Sequence, residues 1–404
     1  MDVFVARQPI FDRKQRVVAY ELLFRKGLES VFEATDGDAA TSQVVFNSFV
    51  SLGIDSIADG QRAFVNFTGN LLKQGLPKLL PHELLVVEIL ETVEPEPEII
   101  EACRQLKMDG YWLALDDFVF HPRFQPLIDL ADIIKIDFLA TDVQERVRIA
   151  NQFKGTPIRL LAEKVETQED FKQAMLLGYT YFQGYFFSKP VVIAAKDVPM
   201  GKYAQLQLIR EVNQPDMDVD NLERIVQHDL ALMYKLLKYV NSSAFGFRMK
   251  IHSVRQAIAL LGQKELAKLA SLFALRILGE DKPPEILKVS AVRARFGELL
   301  AREVGLKARM SDAFFMGMFS MIDVLLGRPM DEVLAGLPVA EEVRLALKGQ
   351  GTSFRDIYGL VLAYERGAWT AVCRFTQSLQ LDERVVADLY KQALQWAHEF
   401  SVGE

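Results

Sequence analysis

The chain has 404 residues, and at about 100–200 residues per domain this predicts two or three domains. Half of the residues are hydrophobic and a quarter are charged, which excludes a disordered chain. The formal charge of −7 falls entirely within residues 1–196, where 21 Lys and Arg face 28 Asp and Glu; the remainder carries 26 of each. Neutralising phosphates takes surplus Lys and Arg, so this balance argues against a general polyanion binder. The sequence has no apolar run of about 18 residues, so no membrane span is expected. Met1 to Lys14 lacks the basic and apolar regions of a signal peptide. A cytoplasmic location follows as the expectation, with Cys103 and Cys373 as unpaired thiols in helical patterns. Five scattered histidines offer no zinc spacing.

Short β-rich runs alternate with helical stretches up to about residue 195. Strands are predicted at 2–8, 16–25, 62–67, 84–90, 111–116, 132–136, 158–163 and 180–186. The first two are joined only by Asp12, Arg13, Lys14, Gln15 and their neighbours, a link that permits only antiparallel pairing. Helical stretches at 97–109, 141–153 and 167–178 separate the later strands, the rhythm of parallel βα units. The expected fold is an α/β barrel, TIM-like (β/α)8 with one antiparallel strand. From about residue 200 almost every segment has a period of about 3.6 residues, which predicts an all-α half. The expected division is a barrel over 1–196, a linking helix over 197–212 and a helical domain over 213–404.

In each strand a polar residue follows the apolar core. Glu21 follows Tyr20, Asn66 follows Val65, and Glu88 follows Val87. Asp116 and Asp117 follow Leu115, Lys135 follows Ile134, Glu163 follows Ala162, and Gln183 follows Phe182. One carboxylate after a strand is commonly a helix N-cap. Seven strands doing so together, at the rim where barrel enzymes carry their sites, point to a converging functional site. Carboxylates and an Asn, with no Cys and little His, are hard oxygen donors that suit Mg²⁺, Mn²⁺ or Ca²⁺ better than zinc. Two ions about 3.5–4 Å apart would relieve carboxylate repulsion and match the arrangement for in-line attack on a phosphodiester. Lys135 would offset phosphate charge or orient the nucleophilic water.

These residues carry a resemblance. The run Tyr20, Glu21, Leu22, Leu23, Phe24, Arg25 resembles the signature of the EAL family of cyclic di-GMP phosphodiesterases, with Glu-Leu-Leu in place of Glu-Ala-Leu. Arg7, Gln8, Pro9, Ile10 is similar to the family's Tyr-Gln-Pro-Ile. The runs beginning at Val65, Glu88, Asp116, Ile134, Ala162 and Gln183 follow in the family's order, so the resemblance covers residues 1–195. It implies hydrolysis of cyclic di-GMP to the linear dinucleotide with two Mg²⁺ or Mn²⁺ ions. On the resemblance, Glu21, Asn66, Glu88, Asp116 and Asp117 would hold the ions and Lys135 would orient water. Glu163 would be the general base, supported by Glu166 and Gln183, and Glu91 would steady the loop after Asp117. Gln8 and Arg25 would contact substrate, Arg25 through a phosphate. Barrels of the family often pair, so a homodimer is the expectation.

The departures bear on turnover. The family reads Asp-Asp-Phe-Gly-Thr-Gly where this chain has Asp116, Asp117, Phe118, Val119, Phe120, His121, so both glycines are gone. Val119 and His121 resist backbone angles that glycine allows. The stretch from Glu21 to Asn66 is short and lacks the segment that packs on a guanine, and Lys164 replaces a glycine beside the general base. Two readings stay open: a signalling barrel with the metal rim but weak or conditional activity, or only binding, and a fully active phosphodiesterase.

In the second half, Ile225 to Asp229, Lys235 to Gly246 and Ile251 to Gly262 resemble the start of an HDOD domain, and the resemblance covers about 200–390. Asn241 and Ser242 are expected to cap a helix or loop. HDOD domains are relatives of the HD phosphohydrolases without the metal motif. Where an HD protein has adjacent His and Asp, this chain has Ser320 and Met321, which make a poor site for a hard ion. Asp323 is expected to be exposed or capping, and Phe314 to Phe319 a buried helix. The half therefore reads as a non-catalytic interaction module for an unidentified protein partner. Its neutral total argues against nucleic-acid binding.

Overall fold

The computed structural model describes residues 3–26, 57–116, 121–184, 200–214, 222, 240–241, 251, 253–280, 282–335, 337, 339–351 and 353–402. The chain forms two compact units, 1–189 with 362–373, and 190–361 with 374–404. No described helix is long and apolar enough to cross a membrane, and neither Cys103 nor Cys373 is in a disulfide.

In the first unit eight strands close a barrel in sequence order. They are β1 (Val3–Phe11), β2 (Val17–Lys26), β3 (Arg62–Phe67), β4 (Leu85–Ile89), β5 (Trp112–Leu115), β6 (Ile133–Asp137), β7 (Arg159–Glu163) and β8 (Tyr181–Gln183). β1 runs antiparallel to both of its neighbours, β2 and β8, and every other adjacent pair is parallel. The Asp12 carboxylate makes the tight β1–β2 turn possible by accepting from the backbone N–H groups of Lys14 and Arg16, at 2.8 and 2.9 Å.

Helices α1 (Gly69–Lys73), α2 (Pro97–Met108), α3 (Gln125–Ile128), α4 (Val143–Phe153) and α5 (Gln168–Leu177) connect the parallel strands. Asp142 caps α4 by accepting from Glu145 N, and Thr167 caps α5 by accepting from Asp170 N. Gly178 ends α5 in the left-handed region at φ +94°.

The barrel interior is set by strand alternation. Ile10, Ala19, Phe64, Val86, Ala114, Ile133 and Leu161, one from each of β1 to β7, form one buried apolar layer, and Tyr181 of β8 packs against it. Side chains two residues apart share a face of a strand. The next inward positions toward the C-terminal mouth are therefore Glu21, Asn66, Glu88, Asp116, Lys135, Glu163 and Gln183. On antiparallel β1 the count runs backwards, from Ile10 to Gln8. At the end of β8, Gly184 has φ +139°, and a Cβ there would lie 2.2 Å from Val165 O. Only glycine lets Gln183 O accept from Val165 N at 3.0 Å at this crossing.

The regular elements described in the second unit are helical. They are α6 (Met200–Val212), α7 (Val254–Leu261), α8 (Gln263–Leu278), α9 (Pro284–Glu303), α10 (Met310–Phe319), α11 (Ile322–Leu326), α12 (Met330–Ala335) and α13 (Glu341–Leu347). α14 (Arg355–Glu365) and α15 (Trp369–Ser378) are shared with the first unit, and α16 (Glu383–Val402) follows. α9 packs on α10 and α16, and α6 packs on α8. Phe314, Met316, Met318 and Phe319 are buried, as expected for that segment. Asn241 closes a loop: its amide donates to Ile251 O at 2.8 Å and its Oδ1 accepts from Ile251 N at 2.7 Å. Ser242, His228 and Asp229 lie outside the described residues.

At the position of the absent HD pair a guanidinium is present. Arg293 Nη1 donates to Ser320 Oγ at 3.1 Å, and Ser320 Oγ donates to Gly317 O at 2.6 Å. Asp323 is half-buried in the first turn of α11 rather than exposed. Burial pushes its carboxyl up against the opposing pull of backbone N–H groups and Arg293.

Helices α9 and α10 touch through Gly317, where a Cβ would lie 2.2 Å from Arg293 O and 2.3 Å from Arg293 C. Neither backbone atom can yield without separating the helices. Gly317→Ala should lower stability by about 3 kcal/mol or more, read as a lower urea midpoint with an unchanged slope.

Candidate functional site

The buried ammonium of Lys135 is the centre of the rim. Its Nζ is paired with Glu88 Oε1, lies 2.7 Å from Glu163 Oε1 and 2.8 Å from Asp116 Oδ1, and is 3.5 Å from Glu21 Oε1. Lys135 is 1% exposed and Glu88 is fully buried. The ligand oxygens of Glu88, Asp116 and Glu163 lie within 4.8 Å of one another. Gln183 Nε2 donates to Glu21 Oε2 at 2.5 Å and to Gln8 Oε1 at 3.0 Å. Gln8 Nε2 in turn donates to Arg366 O at 3.0 Å, in the 362–373 segment of the same unit.

Electrostatics explain what the cluster lacks. Four ionised carboxylates around one ammonium sum to −3. Burial pushes Glu88 well above its ordinary range; Lys135 opposes this, while Glu21, Asp116 and Glu163 add to it. Burial likewise pushes Glu163 up to about 8. Burial disfavours the Lys135 ammonium, but Glu163, Glu21, Glu88 and Asp116 outweigh it and hold the pKa well above 10.5.

Three buried oxygens at the rim, Asn66 Oδ1, Glu88 Oε2 and Gln183 Oε1, have no hydrogen-bond partner. Lone pairs left without a donor inside a surplus of negative charge are the environment a hard cation requires. The residues present therefore fit a divalent ion. Glu21, Asn66, Glu88 and Asp116 are the donors that could hold it, with Glu163 at hand.

The structure brings together Glu21, Glu88, Asp116, Glu163, Lys135, Gln183 and Gln8, and places Asn66 on the same face. Glu166 is half-buried beyond the end of β7, and Glu91 is exposed beyond β4; neither joins the cluster around Lys135. Asp117 and the side chain of Arg25 lie outside the described residues, as do Phe118, Val119 and Phe120. His121 has an extended backbone and its Nδ1 accepts from Arg123 N, so no glycine is needed there.

Lys164, which stands where the family has glycine, adopts φ +51° in the left-handed region. Its Nζ pairs with Asp137 Oδ2 at 2.5 Å. Burial works to raise the Asp137 carboxyl, but Lys164 and the backbone N–H groups of Ala140 and Leu139 bring it below its ordinary value. Sequence reading missed Asp137 as a partner, although it is the inward residue two after Lys135.

A barrel with a hard-oxygen rim, accompanied by a helical unit, is the class that fold and site define. The EAL domain model matches residues 28–190 and the HDOD domain model residues 198–333. The uncharacterized protein YuxH of Bacillus subtilis (strain 168) is 40% identical over 98% of this chain and 98% of its own. Cyclic di-GMP phosphodiesterase CdgJ of Vibrio cholerae is 38% identical over 98% of this chain and 93% of its own. A solved PaMucR phosphodiesterase, in complex with c-di-GMP, aligns at 20% identity and a TM-score of 0.40, covering 47% of this chain and 97% of its own. The chain belongs to the family of proteins in which an EAL domain is followed by an HDOD domain.

Two predictions follow from the charge surplus. Because Glu163 rises from 4.5 to about 8 on folding, folding takes up a proton. The EDTA-treated protein should therefore lose stability as pH rises from 4.5 through about 8, and Glu163→Gln should flatten that fall in urea titrations. Lys135→Met leaves the carboxylates without a cation and should cost about 3–5 kcal/mol, with thermal unfolding recovered on adding Mn²⁺.

Proposed function

We infer that the barrel is a metal-dependent cyclic di-GMP phosphodiesterase that yields the linear dinucleotide. The observation that carries this reading is the convergence of Glu88, Asp116 and Glu163 around buried Lys135, with partnerless oxygens on Asn66 and Glu88. The 38% identity to the phosphodiesterase CdgJ supports the substrate. Glu21, Asn66, Glu88 and Asp116, with Asp117, would hold Mg²⁺ or Mn²⁺, two ions on the family pattern. Such ions neutralise phosphate charge and lower the pKa of bound water. Glu163 accepts the proton of the attacking water, and Lys135 fixes the carboxylates and orients that water. Gln183 sets the Glu21 carboxylate and the Gln8 amide, and Gln8 and Arg25 contact the substrate. Glu166 supports Glu163, and Glu91 steadies the loop after Asp117.

Weak or conditional turnover is the favoured form of this reading, because Lys164 strains the backbone next to Glu163 and diverts toward Asp137. The helical unit reads as the non-catalytic regulatory module, since Ser320 and Met321 stand where metal ligands would be required and Ser320 accepts from Arg293 instead. We place the division at a barrel of 1–196, a linking helix of 197–212 and an HDOD domain of 213–404. The cytoplasm, a homodimer and a protein partner of the HDOD domain complete the proposal.

Incubation of the pure protein with cyclic di-GMP and Mn²⁺ should release the linear dinucleotide. Glu21→Ala and EDTA should abolish product, and Glu163→Gln should reduce turnover by about 10²–10⁴. Absence of product, with binding that survives EDTA, would identify a receptor instead.

A further inference from the structure

The opposite end of the barrel holds a second cluster of charged and aromatic side chains. Two residues below the apolar layer, strand alternation turns Arg62, Trp112 and Arg159 inward. They are the first residues of β3, β5 and β7. Alternate strands contribute to one layer of a barrel interior, so these three meet. The Arg62 guanidinium lies 4.1 Å, and that of Arg159 4.6 Å, from the centroid of the Trp112 ring. Arg159 Nη1 also reaches the Tyr181 hydroxyl at 3.4 Å.

This layer does not fill the barrel. A cavity of about 310 Å³ remains, lined by Arg62, Glu83, Trp112 and Tyr181, with Phe64 and Val86 of the apolar layer. Arg62 Nη1 is buried and has no hydrogen-bond partner. Neither Arg62 nor Arg159 forms an ion pair among the described residues. Stacking on an indole offsets part of the cost of burying Arg62 Nη1 but leaves that one donor unmet. A guanidinium fork matches a carboxylate or phosphate oxygen pair.

We propose that this cavity binds a small organic oxyanion with an apolar body, a carboxylate or a phosphate ester, whose charged end meets Arg62, with Arg159, which stacks on the same Trp112 ring, adding positive charge. The body rests on Phe64, Val86 and Tyr181. The volume is at the low end of the roughly 300–1,000 Å³ typical of ligand pockets, so the ligand is one ring system and one anionic group rather than a dinucleotide. The site is separate from the rim around Lys135, with the apolar layer between them.

The test is calorimetry on the full chain with benzoate and with phenyl phosphate, one probe for each source of the oxyanion. One of the two should bind with Kd below about 1 mM, quench Trp112 fluorescence, and bind unchanged in Glu21→Ala and in EDTA. Arg62→Gln should weaken it at least about tenfold, the loss of one charge-assisted contact. Arg62→Lys keeps the charge without the fork and should fall between. Arg159→Gln provides an independent check should Arg62→Gln fail to fold by circular dichroism. The probe that binds identifies carboxylate or phosphate ester. Failure of both probes, or binding unchanged in folded arginine variants, overturns the proposal.

Discussion

The barrel mouth depends on one buried ammonium. Lys135 is surrounded by Glu21, Glu88, Asp116 and Glu163, and each additional carboxylate raises the cost of the others. Burying a charge is tolerable only when it is paired, and here a single cation is shared four ways. The remaining deficit is met by keeping protons on Glu88 and Glu163 or by admitting further cations. Either solution requires all the carboxylates to stay at one level of the barrel, so the position of every strand is constrained by the charge at its end.

Strand register supplies that constraint. Asn66 pairs with Glu88 across β3 and β4, and Asp137 with Glu163 across β6 and β7. A slip of one residue in any strand would turn its polar residue outward and an apolar one into the mouth. The apolar layer beneath therefore does two things at once. It closes the core, and through the two-residue repeat it determines which side chains face the site. β1 obeys the same rule although it runs the other way, which is how Gln8 arrives beside Gln183 and Glu21.

Much of this was legible before the structure because apolar runs followed by one polar residue are a local pattern. All eight strands and the antiparallel start were readable from run lengths and the short turn at Asp12. The inward face was not counted in the other direction, and so Arg62, Trp112 and Arg159 went unremarked, although each lies two residues before a core residue. The Lys164 conformation could not be read, because a lysine in the left-handed region carries no local signal beyond the missing glycine. The contact between Gln8 and Arg366 joins residues 358 apart in sequence and has no local signature. The Arg293–Ser320 bond was hidden for the same reason, although the loss of the metal pair was visible at Ser320 and Met321.

The helical unit contains its own buried ions, and their stoichiometry separates the two halves. Lys268 pairs with Glu298 and with Glu265, and Glu298 also accepts from Arg295. That cluster holds two cations and two anions and is neutral without any addition. Its charges balance, as expected where ions only join helices, here α8 and α9, although Arg295 Nε has no hydrogen-bond partner. At the barrel mouth the ratio is one cation to four anions, and oxygens on Asn66 and Glu88 are left without donors. A fold has no structural reason to bury that imbalance, since apolar residues of similar volume would be no less stable there. The surplus is intelligible as capacity for positive charge from outside the chain. It also accounts for part of the −7 carried by residues 1–196, while the second half is neutral.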